Sequence, residues 1–225
     1  MPGSIDFVFL DIGGVMYDDR VYAEAWRAAL RVAGGAFTDE AFDEAYAAAR
    51  AGQDGSFRVR LAERFAPAGV PLDALEAEAA KHWAYPPSAL YDDVLPCLER
   101  LRDAGYRLGI IANQPSQVRA VLERDGLVPF FEVWGVSEDL GLQKPDPALF
   151  RHAVRTARVE PARAVMVGDR LDYDVRPART AGMRTVWVLR GEAPDDPTPV
   201  QLAEAGAAAE DLRSLPDVLA ALAAG

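Results

Sequence analysis

The chain has 225 residues, half of them hydrophobic, enough for one large domain or for one core carrying a smaller insertion. Its 24 basic residues stand against 35 acidic ones, a net charge of −11 with no basic cluster, which argues against a nucleic-acid or anionic-membrane surface. The single cysteine, Cys97, cannot form an internal disulfide, no apolar run approaches the ~20 residues of a bilayer span, and Met1-Pro2-Gly3-Ser4 lacks the order of a signal peptide, so a soluble cytoplasmic protein is the expectation.

Ile5 to Leu10 reads as a short apolar strand, buried on both faces as in a parallel sheet. It ends at Asp11 and breaks on Gly13-Gly14. The period then changes to that of helices. Asp18–Val32 carries Val21, Ala25, Trp26, Ala29 and Leu30 at helical spacing and stops at Gly34-Gly35. Thr38 caps a second helix to Arg50, with Asp39 and Glu40 in its first turn. Phe57–Phe65 is a third helix, and a fourth runs from Pro71 to about Trp83 before Pro86-Pro87. No strand pattern interrupts these four helices, so the composition places a domain boundary around them.

Strands and helices alternate from there on. Asp92 or Asp93 caps a helix to Ala104, Tyr106–Ala112 is a strand broken by Asn113-Gln114-Pro115, and Ser116 caps a helix to Asp125. Phe131–Val136 is a strand, followed by a loop through Lys144-Pro145 and a helix from Asp146 to Ala157. Ala164–Val167 is a strand ending in Gly168-Asp169, Asp172–Ala181 a helix, Arg184–Leu189 a strand, and Ser214–Ala223 a last helix. Short links between alternating elements predict an α/β fold, a parallel sheet with helices on both faces. Chemistry in such sheets sits beyond the carboxyl ends of the strands. Asp11, Asn113 and Asp169 end three strands, Asp172 and Asp174 follow closely, and Lys144 lies on a loop after another, so one edge collects them all. Several carboxylates at one site repel and imply a cation; all-oxygen ligands suit Mg²⁺. A lysine among them balances charge and holds a substrate anion.

Four motifs carry a resemblance: Asp11-Ile12-Gly13-Gly14-Val15, Ile110-Ile111-Ala112-Asn113, Lys144-Pro145-Asp146-Pro147, and Gly168-Asp169-Arg170-Leu171-Asp172-Tyr173-Asp174. In order and spacing the chain resembles the haloacid dehalogenase-like hydrolase superfamily, in the branch with an inserted helical cap. The resemblance implies a Rossmann-like catalytic core over 1–16 and 88–225, with a helical cap over 17–87 acting as a lid. It implies Asp11 as a nucleophile forming an aspartyl-phosphate, Lys144 as the residue that orients nucleophile and phosphate, and Asn113 as a phosphate-binding residue. Asp11, Asp169, Asp174 and the carbonyl of Gly13 are the implied Mg²⁺ ligands. The implied partner is a small phosphorylated metabolite, for a monomer or homodimer that binds neither nucleic acid nor membrane.

Two positions depart from the pattern. The superfamily's phosphatases usually carry an Asp, acting as general acid and base, where this chain has Gly13, and a Ser or Thr where it has Ala112. General acid–base help is typically worth about 10²–10⁴ in rate. Gly13 therefore motivates an expectation that the enzyme favours esters with easily departing groups. Three readings stand side by side: a Mg²⁺-dependent phosphatase, a metal-independent haloacid dehalogenase in which Asp11 attacks carbon, and a non-catalytic or weakly active member. Cap residues Tyr17, Tyr22, Trp26, Arg58 and Arg60 are candidates to touch substrate, against the plainer reading of packed aromatics and solvated arginines. Asp172 is equally well explained by the first turn of a helix.

Overall fold

The structure is a computed structural model that describes residues 4–224; Met1–Gly3, read above for leader character, and Gly225 lie outside the described residues. Six strands form one parallel sheet: β1 (Phe7–Leu10), β2 (Arg107–Ala112), β3 (Val133–Val136), β4 (Ala164–Gly168), β5 (Arg184–Val188) and β6 (Ala207–Ala209). Their spatial order is β3-β2-β1-β4-β5-β6. The chain runs outward from β1 on one side and then returns to β4 on the other. That reversal opens a crevice at the carboxyl end of β1, the place where open α/β sheets bind ligands.

All four β1 residues are fully buried. Val8 and Leu10 belong to the apolar layer on one face, with Val94, Leu98 and Leu101 of α5 (Val94–Asp103) and Leu215 and Leu219 of α11 (Leu215–Ala224). Phe7 and Phe9 belong to the other, with Leu149, Phe150 and Ala153 of α8 (Pro147–Ala157). The period-2 alternation of a strand thus serves two cores. The Phe7 and Phe9 rings stack with centroids 4.5 Å apart. They leave no room for a side chain on Gly109 of β2, whose Cβ would come within 2.9 Å of both rings.

The four early helices are α1 (Arg20–Val32), α2 (Asp39–Gly52), α3 (Phe57–Phe65) and α4 (Leu72–His82). They enclose a separate apolar cluster built on Trp26, Leu30, Phe42, Leu61 and Leu75. Thr38 caps α2 as expected, its hydroxyl accepting from the Ala41 amide.

Several local expectations are corrected. Asp93 precedes α5 without capping it. Its carboxylate instead accepts from Arg190, 97 residues away, at 2.7 Å and from the Leu212 amide at 3.0 Å. Ser116 does not cap α6 (Val118–Arg124) either; its hydroxyl donates to Asp139 of α7 (Ser137–Leu140), a short helix with no periodic signal in sequence. The continuous helix expected over Asp172–Ala181 is a π turn, Leu171–Val175, followed by α9 (Arg176–Thr180). The amides of both Asp174 and Val175 donate to the Arg170 carbonyl. This widened turn lets the Asp174 side chain fold back to the end of β4, where its carboxylate accepts from the Arg170 amide at 3.0 Å. Helical π turns gather at functional sites for this kind of reason. The strand β6 and α10 (Pro199–Leu202) were also unforeseen, because a run of three alanines and a four-residue helix carry no usable period.

Cys97 is buried on α5, and burial, with Asp93 beside it, pushes its thiol up to about 12. The thiolate is the reactive form. A thiol reagent at pH 8 is therefore expected to label the native chain ~10³-fold more slowly than an unhindered cysteine. Labelling before and after denaturation measures this directly; equal rates would show an opened helix face.

Candidate active site

Asp11 follows β1 directly and its amide donates to Val167 of β4 at 2.9 Å, which fixes it at the sheet edge. One carboxylate oxygen accepts from the Ile12 amide at 2.7 Å. The other lies 2.6 Å from Lys144 Nζ. Lys144 is buried on its loop and also donates to Asp174 at 2.7 Å. Asp169, at the end of β4, accepts from the Glu192 amide at 2.6 Å. Carboxylate oxygens of Asp11, Asp169 and Asp174 all lie within 4.8 Å of one another.

The glycines around this cluster mark where carboxylates need space. A Cβ on Gly14 would overlap the Asp169 carboxylate, and one on Gly168 would overlap that of Asp174. Gly14 also holds a φ of +68°, a conformation costly for other residues.

Charge decides the chemistry of this group. Three buried carboxylates face one ammonium. Burial raises the Asp11 carboxyl to about 7, Lys144 opposes that shift, and Asp174 adds to it. Burial also holds Asp169 well above the usual carboxylate range, with Asp174, Asp19 and Asp11 pushing in the same direction. For Lys144, burial disfavours the charge, but Asp11 and Asp174 outweigh it and hold the ammonium above its ordinary range. Carboxyl oxygens that repel one another's charge, with one ammonium among them, match a small hard divalent cation.

Asn113 lines the pocket, and its side chain bonds to the backbone of Lys144. Its Nδ2 donates to the Lys144 carbonyl at 2.9 Å and its Oδ1 accepts from the Lys144 amide at 2.8 Å. It thus braces the lysine loop, and its second Nδ2 proton is left for the cavity that Asn113 lines. Ala112 is buried at the end of β2 and Gly13 lines the pocket beside Asp11.

A cavity of about 540 Å³ opens above the cluster. Asp11, Lys144 and Asp174 form its floor, and Tyr22, Phe57, Arg58 and Trp83 contribute from the helical block. Of the five cap candidates, Tyr22 and Arg58 reach this cavity. Tyr17 is buried, with its hydroxyl donating to Asp125 at 2.8 Å, Trp26 is in the core of the block, and Arg60 pairs with Asp54 at the surface.

Asp19, Glu192 and Tyr85 carried no sequence signal, and they line the cavity together with Arg170, a residue of the fourth motif to which the sequence assigns no role. Glu192 comes from a loop that only the fold brings across, where it pairs with Arg170 at 2.7 Å. Asp172 accepts from the Gly55 amide at 2.8 Å, and Arg170 donates to the Gly55 carbonyl at 2.8 Å. These contacts, with Gln53 accepting from the Leu171 amide, pin the link between α2 and α3 to the sheet edge. Asp172 is thus a fastening between the helical block and the core, outside the acidic cluster.

A family model described as haloacid dehalogenase-like hydrolase matches residues 5–182. Glyceraldehyde 3-phosphate phosphatase of Methanopyrus kandleri is 42% identical over 106 residues, covering 47% of this chain and 46% of that protein. Phosphoserine phosphatase of Thermus thermophilus is 42% identical over 109 residues, covering 48% and 44%. The chain thus spans about half the length of these curated relatives. A solved structure of 2-haloacid dehalogenase from Pseudomonas syringae pv. Tomato DC3000 covers 96% of this chain and 99% of its own at 29% identity and a TM-score of 0.60.

Proposed function

The chain belongs to the haloacid dehalogenase-like hydrolase family, and from that premise we propose that it is a Mg²⁺-dependent phosphatase of a small phosphorylated metabolite. The observation that carries this reading is the approach of Asp11, Asp169 and Asp174 within 4.8 Å, with Lys144 between two of them. The phosphatases among its relatives support the same reaction class.

In this reading the Asp11 oxygen paired with Lys144 attacks phosphorus, and the aspartyl-phosphate formed is then hydrolysed. The Ile12 amide holds the other oxygen and so fixes the attacking one. Lys144 carries its positive charge to the nucleophile and to the phosphoryl group, held in place by Asn113 behind it. Asp11, Asp169 and Asp174 supply the oxygens for the cation. Bound Mg²⁺ would offset the charge of nucleophile and phosphoryl group. The helical block covers the cavity as a cap, excluding water from the reacting atoms and bringing Tyr22 and Arg58 to the substrate.

A dehalogenase is the second reading, favoured by the solved 2-haloacid dehalogenase that matches nearly the whole chain. It leaves the buried acids Asp169 and Asp174 without a purpose, since two further carboxylates repel a haloacid anion.

Phosphate release with Mg²⁺ and with chelator separates the two. Thermal melting gives a second measure. At a Mg²⁺ concentration 100 times its Kd, binding adds about 2.7 kcal/mol of stability, which raises Tm by roughly 5–10 °C for a chain of this size. The shift is expected to vanish in Asp169→Asn. No phosphate release in Mg²⁺ above the chelator control, with no Mg²⁺-dependent shift, overturns the phosphatase reading.

A further inference from the structure

Asp19 is in an unusual position for the first residue before a helix. Asp is a favoured helix cap, yet the Asp19 side chain makes no capping bond to α1. It turns instead into the cavity it shares with Asp11 and Lys144. The Tyr85 hydroxyl donates to its Oδ1 at 2.9 Å. Tyr85 is itself held by stacking on Tyr17, with centroids 4.7 Å apart, and by Gln114, whose Nε2 donates to its hydroxyl at 3.4 Å.

The space beside the nucleophile identifies what this carboxyl replaces. A Cβ built on Gly13 would overlap the carboxyl group of Asp19, whose three atoms are the nearest to it. The place of a side chain at residue 13, two positions after Asp11, is therefore filled by a carboxyl group arriving from residue 19.

We propose that Asp19 is a catalytic residue, the general acid and base of the phosphatase reaction. This rests on the phosphatase reading above. In the first half of the reaction an Asp11 oxygen bonds to phosphorus as the bond to the ester oxygen breaks. The carboxyl proton of Asp19 passes to that oxygen, and the alcohol leaves. In the second half the Asp19 carboxylate takes a proton from water as the water oxygen bonds to phosphorus. The bond from phosphorus to Asp11 then breaks, its electron pair returning to the Asp11 carboxylate, and inorganic phosphate departs. Asp19 ends protonated as it began, and one water is consumed. With this group in place, Gly13 no longer implies a restriction to activated esters.

The test compares the native chain, Asp19→Asn and the double variant Gly13→Asp/Asp19→Ala, in Mg²⁺, on an alkyl phosphate and on aryl phosphates of increasingly acidic leaving groups. Asp19→Asn keeps the shape and the Tyr85 bond but cannot give a proton. It is expected to lose about 10²–10⁴-fold on the alkyl ester and far less in the first turnover of the most activated aryl ester. Phosphorylated enzyme should then accumulate, visible by intact mass, because water is no longer deprotonated. The double variant frees the space that the Asp19 carboxyl occupies and is expected to recover most of the loss on the alkyl ester. If the native chain releases phosphate and Asp19→Asn matches it within twofold on the alkyl ester, the assignment is overturned and the phosphatase reading stands. A native chain without Mg²⁺-dependent release overturns both.

Discussion

Asp11→Asn is expected to abolish phosphate release, by ~10⁴-fold or more, while leaving the fold intact. The reason is local. The carboxylate has one oxygen fixed by the Ile12 amide and the other presented 2.6 Å from Lys144. An amide in its place keeps the volume but loses the anionic nucleophile, so the covalent route closes rather than slows. Folding should not suffer. Burial makes the Asp11 charge costly, as the rise of its carboxyl to about 7 indicates, and a neutral residue of the same shape removes that cost. The measurement is paired: turnover of an activated aryl phosphate, and the thermal midpoint without Mg²⁺. Activity within tenfold of the native chain would remove Asp11 from the nucleophile's role. A large fall in midpoint would make the loss of activity a folding effect.

Lys144→Met is the second large effect, and here stability is expected to fall together with activity. Lys144 Nζ sits between Asp11 at 2.6 Å and Asp174 at 2.7 Å, nearly out of reach of water. Methionine fills much of the volume but leaves two buried carboxylates facing each other. Breaking a buried ion pair by removing one partner costs about 3–5 kcal/mol, or roughly 10 °C of Tm at this chain length. The variant also deepens the pH signature that the raised Asp11 carboxyl already gives the native chain. With Lys144 no longer opposing the rise, Asp11 keeps its proton in the folded state to higher pH, where it is ionised in the unfolded chain. The folded state then binds more protons, so stability falls as pH rises from about 4 to 8. Mg²⁺ should recover part of that loss. Melting curves across this pH range, with and without Mg²⁺, measure it; a variant as stable as the native chain at pH 8 would show that Lys144 does not neutralise the site.

Most of the architecture was legible because it rests on short-range periodicity. The helix limits Phe57–Phe65 and the strand ending at Asp11 follow from where apolar residues recur and where Gly or Pro interrupts them. Asp93 and Ser116 misled for an equally physical reason. Both are residue types that cap helices, but each found a distant partner, Arg190 for one and Asp139 for the other. Local preference is a small effect, and a buried long-range bond outweighs it.

The sequence by itself determined the parallel α/β core, the four-helix insertion and the strand-end positions of Asp11, Asn113 and Asp169, since all of these depend on residue order and period. It also singled out Lys144 and Asp174. Only the tertiary structure decided what these residues do beside one another. It turned Asn113 into a brace for the lysine loop and Asp172 into a fastening for the helical block. It brought Glu192 across to Arg170 from 22 residues away. At Gly13 the sequence registers an absence, whereas the fold fills that space with the carboxyl of Asp19. The physical reason is that packing fills space without regard to which residue supplies the atoms. A turn that places Asp19 against Gly13 has no repeating pattern along the chain, so it can be read only once the chain has folded.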